Sequence, residues 1–404
     1  MKKLDWLFMI SLFALIGIGL ALVYSATSNS DLIWYKTDWF KQVIHFAVGF
    51  LMIGIIILMP AKFWQNFAWI AYFISIISLI LVANSGYISK GAGRWLDIGG
   101  FRFQPSEFAK VAYLLANSLW LSKHRVSIAQ PKTLLVPGFL FIVPFLLVLK
   151  QPNLSTALVF TAMTVVQFYW AGFRMVDLFL LISPIASILF SAISALYWNL
   201  LIISVFFVSI KFKFPLWIII FVMLLDIGAG YVSQMAWNSM EDHQRSRILT
   251  FIDPMRDPKG EGYQVIQSQV AIGSGGMFGK GFGEGSQVNL SFLPEEHTDF
   301  IFSVLGEQFG FVGTFVVLVL FFLLLWRGIM ICRLYENRFV NLVVAGACTI
   351  LFFHTFVNVA MTIGFMPVTG LPLPFLSYGG SFVLTCMILV GLMLNMRFKG
   401  RDMV

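Results

Sequence analysis

The chain has 404 residues, 59% of them hydrophobic and only 11% charged, and carries a net charge of +8. A soluble domain usually carries about 25% charged residues. Composition therefore excludes a water-soluble globular protein, and with it the soluble nucleic-acid binder that the positive charge alone would fit. What it predicts is an all-α polytopic integral membrane protein, a helix bundle forming a single membrane domain over residues 1–404.

A crossing helix needs about 20 apolar residues. Lys2, Lys3 and Asp5 precede an apolar run over 6–25 that is long enough to cross, so it reads as a first helix and not as a cleaved signal. Helices follow near 40–60 and 63–84, then a polar loop over 84–104. The spacing predicts further helices near 105–122, 133–150, 155–172, 175–195, 197–210 and 214–236. A glycine-rich polar stretch occupies 237–298, and helices near 299–326, 340–365 and 377–396 complete the chain. The total is twelve, with 197–236 read as an inserted pair, or ten if 175–236 divides differently.

Lys and Arg concentrate in cytoplasmic loops. Lys62, Lys123, Arg125, Arg174, Lys211 and Arg327 crowd one side, whereas the opposite short loops hold mainly Lys36, Lys41 and Lys150. Both termini are thus placed in the cytoplasm, with 84–104 and 237–298 outside. Cys332, Cys348 and Cys386 lie in or beside apolar runs and read as packing residues.

Five polar features stand out. Pro294-Glu295-Glu296-His297-Thr298-Asp299 abuts the apolar Phe300-Ile301-Phe302. If a helix starts at Pro294, Glu295 and Asp299 share a face. Acids in a first turn also complement the helix dipole, which gives Glu295 and Glu296 a purely structural reading. Asp299, next to the apolar run, is the candidate general base. Glu307, two turns on, reads as a packing residue or a partner behind Asp299. Glu107 and Lys110, three apart, pair on one helix face, either as a structural ion pair or in contact with substrate.

The run Gly273-Ser274-Gly275-Gly276 through Gly279-Lys280-Gly281 fails the phosphate-loop pattern, because Ser274 and Gly281 stand where Gly and Ser or Thr are needed. It is left as a surface loop or a row of N–H groups for an anion. Arg94, Arg102, Arg247 and Lys280 are cations for a phosphate-bearing head group, or ordinary solvated charge. Finally, three prolines and three glycines between 366 and 380 break the backbone at membrane depth. Such backbone is tolerated only when buried in protein or lining a cavity.

Together these segments resemble the SEDS family of shape, elongation, division and sporulation proteins over nearly the whole chain. The matching stretches include Gly93-Arg94-Trp95-Leu96-Asp97 with Gln104-Pro105-Ser106-Glu107, Arg247-Ile248-Leu249-Thr250-Phe251, His297-Thr298-Asp299-Phe300, and Pro372-Leu373-Pro374-Phe375-Leu376-Ser377-Tyr378-Gly379-Gly380. Six separated motifs in one order make the match specific, and the glycine run and short tails look more like the elongation branch than the division branch. The resemblance implies ten core helices and a peptidoglycan glycosyltransferase that polymerises lipid II outside the bacterial cytoplasmic membrane. It implies a class B penicillin-binding protein as partner, with nascent glycan and membrane lipids in contact. Asp299 matches the essential aspartate, and Glu107 and Lys110 a functionally important pair. Arg94, Arg102, Arg247, Lys280, His297 and Ser377 are supporting candidates, and a divalent cation, Mg or Mn, is a candidate cofactor. In two places the chain departs from the family pattern. Asn153 and Ser155 stand where the family usually has aspartate and glycine, so an acid there is not essential to this chemistry, and the pair at 197–236 is extra. A flippase for lipid II and a non-catalytic scaffold are the rival classes.

Overall fold

The computed structural model describes residues 5–27, 37–85, 87–89, 92–98, 101–128, 130–239, 255, 261–285 and 297–403. Among these, helices occur at all twelve predicted places. They are α1 (Trp6–Thr27), α2 (Asp38–Leu58), α3 (Ala61–Ser85), α4 (Pro105–Lys123), α5 (Leu135–Lys150), α6 (Leu154–Trp170), α7 (Met175–Ile193), α8 (Ala195–Lys211) and α9 (Leu216–Ser239). A further helix, α10 (Glu261–Ser274), was not predicted, and α11 (Ile301–Met330), α12 (Arg338–Thr362) and α13 (Gly380–Lys399) follow. Three short strands, β1 (Tyr87–Ser89), β2 (Ala92–Ile98) and β3 (Phe101–Phe103), form an antiparallel sheet between α3 and α4.

Nine of the described helices are long and apolar enough to cross a membrane. Three of the twelve predicted ones fall outside that set for identifiable reasons. Helices α6 and α8 are apolar but only 17 residues long. Helix α4 has the length but carries Ser106, Glu107, Lys110, Asn117 and Ser118, all buried. Polar groups are costly against lipid, so a helix this polar belongs inside protein. Helices α4, α12 and α13 are indeed the buried centre, and α12 and α13 are 78% and 83% buried over their apolar windows. The centre is wrapped by α1, α2, α3, α5, α6 and α11, and one apolar core runs through it.

Helices α8 and α9, the predicted extra pair, pack chiefly on α7 and on each other. Their contacts form a separate cluster around Leu180, Val205 and Ile218. In that seam the buried Asp226 of α9 accepts a hydrogen bond from Ser183 of α7 at 3.0 Å.

The two ends of the bundle are held differently. At one end Asp5 lies beneath Arg327 at 2.6 Å and Arg397 at 3.0 Å, joining the starts and ends of α1, α11 and α13. Burial pushes the Asp5 carboxyl up, but hydrogen bonds from Arg327 and the Phe8 N–H, with the charge of Arg397, outweigh it and hold the group below its ordinary value. At the opposite end the irregular segment 363–379 folds into the bundle. Leu371, Leu373, Phe375 and Leu376 are buried there, in agreement with the reading of 366–380 as a wall inside the protein. Phe375 adopts φ +64, a left-handed backbone uncommon for a bulky residue. Its carbonyl presses on Gly19 of α1, where a Cβ would stand 2.2 Å from the oxygen.

Candidate active site

Asp299 does not lie in a helix. Residues 297–300 form a turn and α11 begins at Ile301, two residues past the predicted start near 299, while Pro294 lies outside the described residues. Three successive carbonyls of this turn are taken by other segments. The Tyr378 N–H donates to the His297 carbonyl at 2.9 Å, the Ser377 hydroxyl to that of Thr298 at 2.6 Å, and the Asn358 amide to that of Asp299 at 2.9 Å. The Asp299 side chain is half-buried, and its carboxylate lies against Gly370, where a Cβ would stand 3.5 Å from Oδ2.

The segment that grips Asp299 is itself gripped. Ser377 accepts a bond from the Leu373 N–H at 2.8 Å, and its carbonyl accepts one from Gln42 of α2 at 3.0 Å. Asn358 also donates to Leu371, at 2.8 Å. Ser155, at the start of α6, donates to the Thr369 carbonyl at 2.7 Å, while the Asn153 side chain accepts from the Thr156 N–H and caps that helix. Asparagine keeps the capping function an aspartate would serve. His297 lies at the rim, 3.7 Å from Asp38 and with its ring 5.7 Å from that of Tyr378.

Glu107 and Lys110 are buried and in contact, at 2.8 Å. The Lys110 ammonium also meets Nε2 of His354 on α12 at 2.9 Å. Neither the Glu107 nor the Lys110 side chain is exposed.

The glycine run has a role the sequence did not reveal. Helix α11 is broken at Gly310, at φ +63. The Phe311 and Val312 N–H groups, turned away from the helix, donate instead to Gly276 and Met277, at 2.9 and 3.0 Å. The Lys280 and Gly281 N–H groups donate back to the Glu307 and Gln308 carbonyls, at 3.0 and 3.1 Å. The loop thus repairs the break in α11, and these two N–H groups are not available to an anion. Lys280 pairs with the buried Glu307 at 2.7 Å, which ties Glu307 to the loop.

Of the other candidates, Arg247, Glu295 and Glu296 lie outside the described residues. The backbones of Arg94 and Arg102 run in β2 and β3, and their side chains lie outside the described set. Among the described residues no group of three or more His, Cys, Asp or Glu side chains could hold a metal ion.

The model of the cell cycle protein family that includes FtsW, RodA and SpoVE matches residues 5–200 and 194–401. The chain belongs to this family. The chain is 34% identical over 392 residues to the peptidoglycan glycosyltransferase MrdB of Escherichia coli K12, covering 97% of this chain and 93% of that one. It is 32% identical to a probable peptidoglycan glycosyltransferase FtsW of Trichlorobacter lovleyi, over 98% of this chain and 93% of that one. A solved structure concerned with coordination of polymerization and crosslinking by a peptidoglycan synthase complex superposes with a TM-score of 0.74 at 26% identity, over 100% of this chain and 99% of that one. The family member described here is an integral protein of the bacterial inner membrane, and its activity is that of a peptidoglycan glycosyltransferase.

The sequence reading missed Gln42, His354 and Asn358. Each is a polar residue within an apolar helix, and such residues require partners.

Proposed function

We propose that this chain polymerises lipid II into β-1,4 glycan at the outer face of the membrane, with Asp299 as general base. The observation that carries the reading is the fixing of Asp299 by three consecutive backbone carbonyls, with its carboxylate held at the irregular 363–379 wall. Asp299 takes the proton from the 4-hydroxyl of the acceptor sugar. The oxygen attacks the anomeric carbon of the donor as the bond from that carbon to the pyrophosphate oxygen breaks. The electron pair leaves with undecaprenyl pyrophosphate, and the centre inverts. A pyrophosphate departs without a proton when its charge is met, so one carboxylate suffices where glycoside hydrolysis needs two. Arg94, Arg102 and Arg247 are assigned to that charge. Lys110 and Lys280 are occupied by Glu107 and Glu307, so both act through the scaffold. Ser377 and His297 position the 297–299 turn.

Both termini are assigned to the cytoplasm, which agrees with Asp5 and Arg397 meeting at one end of the bundle while Asp299 lies at the other. The partner is a class B penicillin-binding protein, and the glycine run and short tails favour a role in elongation. The test is to incubate the purified protein with labelled lipid II, with and without the partner and with and without a chelator. Glycan polymer supports the reading. Translocation across vesicles without polymer indicates a flippase, and neither product, with the partner present, indicates a scaffold. Loss of polymer in the chelator arm alone indicates a divalent cation.

A further inference from the structure

The buried Glu107–Lys110 pair lies on α4, and the Asp299 carbonyl is held from α12. A third residue joins them. His354 of α12 is fully buried, receives the Lys110 ammonium at Nε2 at 2.9 Å, and has Nδ1 3.3 Å from the Pro372 carbonyl. An ammonium has no acceptor, so Nε2 carries the lone pair and Nδ1 the proton, which is donated to Pro372. Phe382 of α13 closes the other side, with its ring 4.7 Å from the imidazole and 5.7 Å from the ammonium. One turn along α12, on the same face, Asn358 takes the adjacent Leu371 carbonyl and that of Asp299. Polar contacts thus run without a gap from Glu107 through Lys110 and His354 to Pro372, and from Leu371 through Asn358 to Asp299.

We infer that His354 is a positioning residue: it fixes Pro372 against the Glu107–Lys110 pair, and so holds the wall on which the Asp299 carboxylate rests. The inference builds on the assignment of Asp299 as base. It links the buried ion pair to the site by setting where the 371–377 segment stands.

The two nitrogens of His354 are separable by substitution. In His354→Asn the amide nitrogen takes the place of Nδ1 and keeps the bond to Pro372. In His354→Gln the side-chain oxygen reaches the place of Nε2 and keeps the Lys110 contact but not the loop. His354→Leu keeps neither. A misplacement of about 1 Å costs up to about 100-fold in rate. Polymerisation of labelled lipid II by His354→Asn, which loses the Lys110 link, by His354→Gln, which loses the Pro372 link, and by His354→Leu is therefore expected to fall about 10-fold or more in kcat, with KM within about twofold. Membrane yield and Tm are measured in parallel, and His354→Gln carries the test if His354→Leu does not fold. In an Asp299→Asn background the His354 substitutions are expected to add no further loss. Wild-type kcat in folded His354→Gln or in folded His354→Asn overturns the inference. Absence of polymer from the wild type overturns the underlying reading instead.

Discussion

Asp299 shows how little freedom a half-buried carboxylate has when its own backbone is taken up by neighbours. The Asn358 amide alone bridges the Asp299 and Leu371 carbonyls, so it links the residue that reacts to the segment that shapes its surroundings. Leaving a buried carbonyl without its donor costs about 1–3 kcal/mol. Asn358→Leu, which strands two, is expected to lower Tm and to reduce lipid II polymerisation about 10-fold or more, through displacement of Asp299. A variant that melts earlier yet polymerises at the wild-type rate would show that Asn358 supports the fold alone. Asp299 was legible in the sequence because a charge beside Phe300-Ile301-Phe302 calls for a reason. His354 and Asn358 were not, because their partners lie on α4 and in the 371–377 segment, and nothing local indicates which buried polar residues meet.

At the scale of elements, the apolar runs placed twelve helices correctly because length and hydropathy are properties of the run itself. The bonds from α12 and the 371–379 segment to the 297–299 turn were not legible, because they join segments distant in the chain. The glycine run was likewise read as a surface loop or anion site, because the break at Gly310 that it repairs is a contact between segments 30 residues apart in the chain. That repair makes a graded prediction. Gly279 has φ +83, and a Cβ there would stand 2.1 Å from the Gln308 carbonyl oxygen. Gly276 has φ +55 but open space around it. Left-handed backbone costs a non-glycine residue roughly 1–2 kcal/mol. Gly276→Ala is expected to lose about that much, and Gly279→Ala distinctly more, with a lower Tm and reduced activity as Lys280 and Glu307 separate. Equal Tm values for the two would contradict the close packing of the loop on α11.

The whole molecule is organised as two ends of one bundle. One end is closed by Asp5 with Arg327 and Arg397, and the other holds the 363–379 wall and Asp299. The α8–α9 pair stands beside α7 with its own small core, away from both. Breaking a buried ion pair by removing one partner costs roughly 3–5 kcal/mol. Asp5→Asn leaves two arginines facing each other and is expected to lower Tm by several degrees without a change in KM. Because the folded carboxyl is held below its ordinary 3.8, its stabilisation is present above that value and is lost as pH falls through the depressed one. The Tm gap between wild type and Asp5→Asn should therefore be full near neutrality and close in acid, and a gap independent of pH would remove the charge from the explanation. The central claim is that Asp299 is the base. Its most direct test is polymerisation of labelled lipid II by purified Asp299→Asn beside the wild type, with Tm recorded for both. A general base contributes about 10²–10⁴-fold, so the account predicts a loss of at least about 100-fold at an unchanged Tm, and near-normal polymerisation by the variant would contradict it.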